Sequence, residues 1–236
     1  MQLFITEFEN KWNSIKISDK EILDQVRKVL RMKIWDIIFV QNGHTRHKIQ
    51  IDNRDNQNIF WTILETIKPN TKTNDIWMII SMSNKRDKIE LIVQKLSEIW
   101  ISNIYFWPSE RSIIRERNEK KLTRMNKIAK EATEQSWWRF LPKIEFTKDI
   151  SKIITWKNVI IFDKKELEDK DWENDVKSTT ETIGIIWPEW GFSESDYKHF
   201  WNDYKILSLG DTVLRTETAA IIASRFLKNI QNNFNR

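Results

Sequence analysis

Four glycines serve a chain of 236 residues that also carries thirteen tryptophans. No other feature constrains the fold so hard, because tight turns and helix ends need residues that accept positive φ, which glycine does freely and tryptophan only against steric resistance. At its average share of about 7%, glycine would number roughly seventeen in a chain of this length, and the four glycines and thirteen tryptophans together make seventeen. The sum reads as one letter standing in for another.

The rest of the composition sets the class. Length allows one large or two small domains, and two fit the patterning better. A formal net charge of +5 and a pI near 9.2 favour a polyanionic partner, nucleic acid ahead of a membrane surface. There is no cysteine, which excludes disulfides, thiolate metal sites and a cysteine nucleophile. The opening "MQLFITEFEN" is acidic rather than a basic leader, and no apolar run approaches the ~18 residues of a membrane span. The expectation is a soluble, cytoplasmic protein.

Residues 1–70 read as a small β-rich unit with one helix, its start marked by Ser18 and Glu21 in capping-box spacing ahead of Ile22, Val26 and Leu30. Strands are expected at Asp36–Val40, His47–Asp52 and Ile59–Ile67, with a linker at Lys68–Asp75. From there, over 71–236, strands alternate with amphipathic helices, the pattern of an α/β domain with a parallel sheet. "IWMIIS" precedes a helix with Ile89, Ile92, Val93, Leu96 and Ile99 on one face; "NIYF" precedes another with Leu122, Met125, Ile128 and Ala132 aligned. Three more strands follow, "NVIIF", "TIGII" and "KILSL", and then a helix from about Thr216.

Two loops stand out for chemistry. "TIGII" runs into "WPEWGFS" and a short helix opened by Ser193, and "SLGDTVLRTETAA" carries Gly210 at a strand end with Thr216 placed to cap the last helix. Both loops leave the carboxyl ends of parallel strands, where open α/β sheets bind ligands.

These residues resemble the bacterial 16S rRNA (uracil-N3)-methyltransferases of the SPOUT class, and the resemblance runs end to end. That family has Gly-Pro-Glu-Gly-Gly-Phe-Ser after a strand, then Ser-Leu-Gly, then Leu-Arg-Thr-Glu-Thr-Ala. Here Trp187, Pro188, Glu189, Trp190, Gly191, Phe192 and Ser193 are followed by Ser208, Leu209, Gly210 and by Leu214 to Ala219. Upstream matches include Leu30, Arg31 and Asp36; Gln94, Lys95 and Glu98; Ser109, Glu110 and Arg111; and Glu134, Gln135 and Ser136. At five of the family's glycine positions this chain has Trp35, Trp100, Trp137, Trp187 and Trp190.

The resemblance implies a knotted SPOUT-type domain preceded by a PUA-like β-barrel, a homodimer, and transfer of a methyl group from S-adenosylmethionine to N3 of a uridine in small-subunit rRNA, with no metal. It assigns cofactor binding to Ile186, Trp187, Pro188, Glu189, Trp190, Gly191, Leu209, Gly210, Val213 and Leu214. Arg215 is the candidate to favour the uridine anion, with Glu217 orienting it or serving only as a first-turn carboxylate. RNA contacts fall to Arg27, Lys28 and Arg31 in the first unit, to Arg111 and Arg115 at the head of the basic run Arg111–Lys130, and to Arg139. The chain begins Met-Gln-Leu-Phe where many relatives begin Met-His-Arg-Phe, so the role of that early arginine does not carry over.

The tryptophans at glycine positions read as UGA codons that mean glycine in the source organism, translated under a code in which UGA means tryptophan. An indole at 187 or 190 would occupy cofactor space in a loop that needs residues without Cβ. If those tryptophans are real, the alternative is a non-catalytic RNA-binding protein; a second alternative is a methyltransferase of the same class acting on another RNA position.

Overall fold

The computed structural model describes residues 2–43, 45–54, 59–68, 75–82, 85–112, 119–163, 181–188, 190–200 and 204–234. They form two compact units: residues 1–72 with 133–140, and residues 73–132 with 141–236.

The first unit is a six-stranded sheet in the order β1-β4-β5-β6-β3-β2. Its strands are β1 (Leu3–Ile5), β2 (Glu9–Lys11), β3 (Ser14–Lys16), β4 (Ile37–Gln41), β5 (Arg46–Arg54) and β6 (Ile59–Ile67). All pairs are antiparallel except β1 with β4. One face buries Phe4, Ile15, Ile38, Val40, Ile49, Ile51 and Trp61 against Ile22 and Val26. Those last two lie on α1 (Lys20–Asp24) and the π-helical turn Gln25–Val29 that continues it. The helix cap is not Ser18. Asp19 Oδ1 accepts from the backbone N–H groups of Glu21 and Ile22, at 3.0 and 3.4 Å, so a carboxylate one residue later satisfies the first orphan donors.

The second unit is a six-stranded sheet, parallel throughout, in the order β12-β10-β11-β7-β8-β9. β7 (Ile76–Ser81), β10 (Asn158–Phe162) and β11 (Thr182–Ile186) are nearly continuous apolar runs because both faces are covered. β8 (Asn103–Trp107), β9 (Lys143–Phe146) and β12 (Lys205–Leu207) complete it, β12 ending two residues before the expected Leu209. The helices are α2 (Arg86–Glu98), α3 (Glu119–Gln135), the short α4 (Ser151–Ile154) and α5 (Glu194–Tyr197), and α6 (Thr216–Phe234). α6 packs so closely on the central strand that a Cβ built on Gly184 would lie 2.9 Å from Leu227 and 2.7 Å from Met78 Sδ on the neighbouring strand.

Among the described residues six besides glycine have positive φ, and five of them are tryptophans: Trp12 (55°), Trp35 (76°), Trp100 (74°), Trp137 (60°) and Trp156 (63°), with Arg31 the sixth. Their surroundings name the reason. After α2, the Trp100 N–H donates to the Ser97 carbonyl at 3.1 Å and the Ile101 N–H to Leu96 at 3.0 Å, the two bonds of a Schellman ending. After α3, Trp137 and Trp138 repeat the pattern onto Glu134 and Thr133, at 3.4 and 3.1 Å. Both motifs put a left-handed residue, usually glycine, where these chains of bonds carry tryptophan. Trp12 holds the first central position of the two-residue turn between β2 and β3, another place for glycine.

Candidate functional site

Strand order reverses where β7 stands between β8 and β11, since the chain proceeds outward from β7 in one direction and returns to its other side later. The carboxyl ends of strands at such a reversal are where open parallel sheets take ligands. The loops leaving β8, β11 and β12 all emerge from those ends.

The loop after β11 starts buried and ends exposed. Ile186 is fully buried, Trp187 is 8% exposed and Trp190 73%. The Gly191 N–H donates to the Pro188 carbonyl at 3.0 Å, closing a turn in which Gly191 takes φ +71°. Trp187 and Trp190 do not share that left-handed backbone, so among the described residues of this loop the torsions single out Gly191. Thr216 Oγ1, at the head of α6, donates to the Trp187 carbonyl at 3.3 Å and so fastens the loop to the helix start. Glu189 lies outside the described residues.

The loop after β12 is open. Gly210 takes φ +113° with nothing within 4 Å of where its Cβ would stand, and its N–H donates to Ser208 Oγ at 3.2 Å. Val213 is 70% exposed, Leu209 and Leu214 pack against the core edge, and Arg215 is exposed while its carbonyl accepts from the Ala219 N–H at 2.8 Å. Glu217 is drawn away from the loop. Its Oε2 is buried, has no hydrogen-bond partner among the described residues and stands 3.4 Å from Lys88 Nζ on α2, an ion pair across α2 and α6. As a carboxylate in a helix first turn it is also favoured by the helix dipole.

The loop after β8 joins the loop after β11 through Asp196, a residue that no motif in the sequence singled out. Asp196 is 2% exposed; Oδ2 accepts from the Ser193 N–H and Oδ1 from the Glu110 N–H, each at 2.9 Å, while its own N–H donates to Ser193 Oγ at 3.1 Å. The signal was present as Ser193 and Asp196 at capping-box spacing. Ser195 Oγ donates to Glu110 Oε2, and Arg111 Nη1 donates to the Trp190 carbonyl at 2.7 Å. Beneath these loops Trp107, Phe192, Tyr197, Phe200 and Tyr204 form an aromatic cluster, edge-to-face except for the tilted Trp107–Phe192 pair. The Tyr197 hydroxyl donates to Asp163, and burial first, then that bond, raises its pKa well above the ordinary phenol value.

The site therefore gathers Ile186 to Gly191, Leu209 to Leu214, Arg215 and Arg111 on one end of one sheet, Glu189 aside. Residues 70–228 match the family model described as "RNA methyltransferase domain". The chain belongs to the RNA methyltransferase domain family. Among curated proteins, this RNA methyltransferase is similar to the ribosomal RNA small subunit methyltransferase E of Rickettsia conorii, 25% identical with 89% of this chain and 88% of that protein covered. It is similar as well to the Bacillus subtilis protein of the same name, 24% identical with 86% and 85% covered. Among solved structures, its fold is that of a ribosomal RNA small subunit methyltransferase E from Neisseria gonorrhoeae bound to S-adenosyl methionine, TM-score 0.79 and 22% identity over 98% of each chain. A methyltransferase from Legionella pneumophila in complex with the same cofactor gives TM-score 0.77 and 24% identity, covering 97% of this chain and 96% of that one.

The remaining expected residues are placed as follows. Arg27 is half-exposed, Lys28 pairs with Asp24 at 3.0 Å, and Arg31 is exposed with φ 51°. Arg115 lies outside the described residues. Arg139 belongs with the first unit rather than with the basic run on α3. Within that run Arg124 is engaged, its Nη2 donating to Glu90 at 2.8 Å. Among the described residues no cluster of metal-ligating side chains occurs and no helix is long and apolar enough to cross a membrane.

Proposed function

We propose that this RNA methyltransferase transfers a methyl group from S-adenosylmethionine to N3 of a uridine in the 16S rRNA of the small ribosomal subunit. The observation that carries the reading is the convergence of the loops after β11 and β12, each with a positive-φ glycine, at the strand reversal of a sheet matched by the RNA methyltransferase family. Gly191 and Gly210 have open space on the side where a Cβ would stand, as backbone closing on a ligand requires. The cofactor, when bound, supplies a methyl group on a sulfonium for in-line displacement. Ile186 to Gly191 and Leu209 to Leu214 hold its adenosine and methionine parts through backbone groups.

Arg215 sits next to those loops and is exposed, so its guanidinium is free to stabilise the negative charge that uridine acquires as N3 loses its proton. Glu217 acts at one remove: paired with Lys88 and in the first turn of α6, it fixes the helix whose Thr216 holds the β11 loop. Alignment of the two reacting centres supplies the rest of the acceleration. The PUA-like character of the first unit, the C-terminal knot, the homodimer and a cytoplasmic location belong to the same proposal, as what the family resemblance implies.

The test is methyl transfer from labelled S-adenosylmethionine to hypomethylated small subunits, with the product nucleoside identified after digestion. Label in 3-methyluridine from subunits is expected; label in tRNA but not in subunits overturns the rRNA assignment.

A further inference from the structure

A cavity of about 40 Å³ in the first unit is lined by Gln41, Gly43, Thr45, Arg46, Ile67 and Arg139. Among the described residues two guanidiniums and no carboxylate line it. Arg46 is held from behind: Nε donates to Gln41 Oε1 at 2.9 Å, and Nη2 to the carbonyls of Trp137 and Trp138 at 3.0 and 3.1 Å. Gln41, 2% exposed, completes the frame by donating to the carbonyls of Trp138 and Arg139. These bonds consume one edge of the Arg46 fork and leave its Nη1 without a hydrogen bond among the described residues; the two from Nη2 go to backbone carbonyls and do not depend on the side chain at 137, although the guanidinium also lies 5.8 Å from the Trp137 ring. Burial and then the neighbouring Arg139 charge lower the Arg46 pKa, as expected where two cations share a recess without an anion. Gly43, at φ +87°, brings backbone to the rim with open space beside it.

We propose that Arg46 and Arg139 form a cradle for one backbone phosphate of the substrate RNA. A guanidinium presents donors in a fork that matches phosphate oxygens, and an anion here removes the repulsion between the two cations. This rests on the rRNA reading above. The test measures binding of the full chain to a fragment of small-subunit rRNA across a salt series, alongside the subunit methylation assay. Each phosphate contact contributes about one to the slope of log affinity against log salt. Arg139→Gln is expected to reduce that slope by about one and Arg139→Lys to restore most of it, with S-adenosylmethionine affinity unchanged in both. An Arg139→Gln slope equal to the parent's overturns the cradle and leaves the rRNA reading standing; a parent that binds rRNA but methylates no subunit overturns the rRNA reading and leaves the cradle to its slope. A parent that binds no rRNA overturns both.

A second inference stands on the backbone alone. Trp172 and Trp201 lie outside the described residues, and of the other eleven tryptophans five take left-handed φ, whereas Arg31 alone does so among all other described non-glycine residues. We infer that positions 12, 35, 100, 137 and 156 are glycine in the protein as its own cell makes it, and that 61, 77 and 107 are tryptophan. Positions 12 and 156 match no motif that pointed to glycine; their torsions and exposures of 105% and 94% do. Trp61 and Trp107, by contrast, are buried within strand-borne cores at ordinary strand torsions, and Trp77 packs on Tyr105 and under Lys157. Peptide mass mapping of the chain purified from its source organism decides it. Glycine masses at the five positions and tryptophan masses at 61, 77 and 107 are expected; tryptophan at 12 and 156, or glycine at 61 or 107, overturns the assignment.

Discussion

Trp156 shows at a single residue what the left-handed region demands. An L-residue there is disfavoured by about 1–2 kcal/mol, and exchanging it for glycine gives back about 0.5–1 kcal/mol of unfolded-state freedom. The side chain is 94% exposed, so little packing is lost with it. Trp156→Gly in a chain made with tryptophan at every such position is thus expected to raise stability by about 1 kcal/mol, read from chemical denaturation; Trp61→Gly, from a site with no exposure, is expected to abolish cooperative unfolding of the first unit. Residue counting exposed the shortage of glycine but not its addresses. Motif matching reached 35, 100 and 137, where the torsions agree; it gave no hint of 12 and 156, because a hairpin turn and the end of a four-residue helix carry no distinctive letters besides the glycine itself.

Elements were the most legible scale. Ile76–Ser81, Asn158–Phe162 and Thr182–Ile186 read as strands and are strands to the residue, since a β-strand covered on both faces has to be apolar throughout. The short strands β1, β2, β3 and β9 went unread because three or four residues, some of them exposed, carry no period. On β11, Gly184→Ala would drive a methyl to 2.7 Å from Met78 Sδ and 2.9 Å from Leu227, and a loss of about 1–3 kcal/mol is expected in thermal or denaturant unfolding as α6 is displaced. Between α2 and α3, hydrogen bonds from Arg124 and then Arg86 hold the Glu90 carboxyl at about 2, down from 4.5. Because the folded value is the lower one, this stabilisation is complete above about pH 4.5 and fades as the pH falls through about 2. The pair is at the surface, so Glu90→Gln and the parent are expected to differ modestly at neutral pH, to converge in acid titration across that window, and to converge at any pH in about 1 M salt.

At the scale of the molecule, alternation of strands and helices disclosed the parallel sheet, but nothing local assigns Thr133–Phe140 to the first unit. That membership arises from contacts such as Glu134 accepting the Ile5 N–H at 2.7 Å, and Arg46 reaching the carbonyls after α3, between residues some ninety to one hundred and thirty positions apart. The cradle proposed for RNA was unreadable for the same reason: Arg139 stood out as a charge, while Arg46 lay inside a strand, and only the fold puts them on one recess. The two Schellman endings and the β2–β3 turn carry a different kind of consequence, one of handedness. There the backbone takes the torsions that a mirror-image amino acid prefers, so a chemically synthesised chain with D-alanine at 12, 100 and 137 is expected to fold at least as stably as one with glycine, while L-alanine at the same places weakens it.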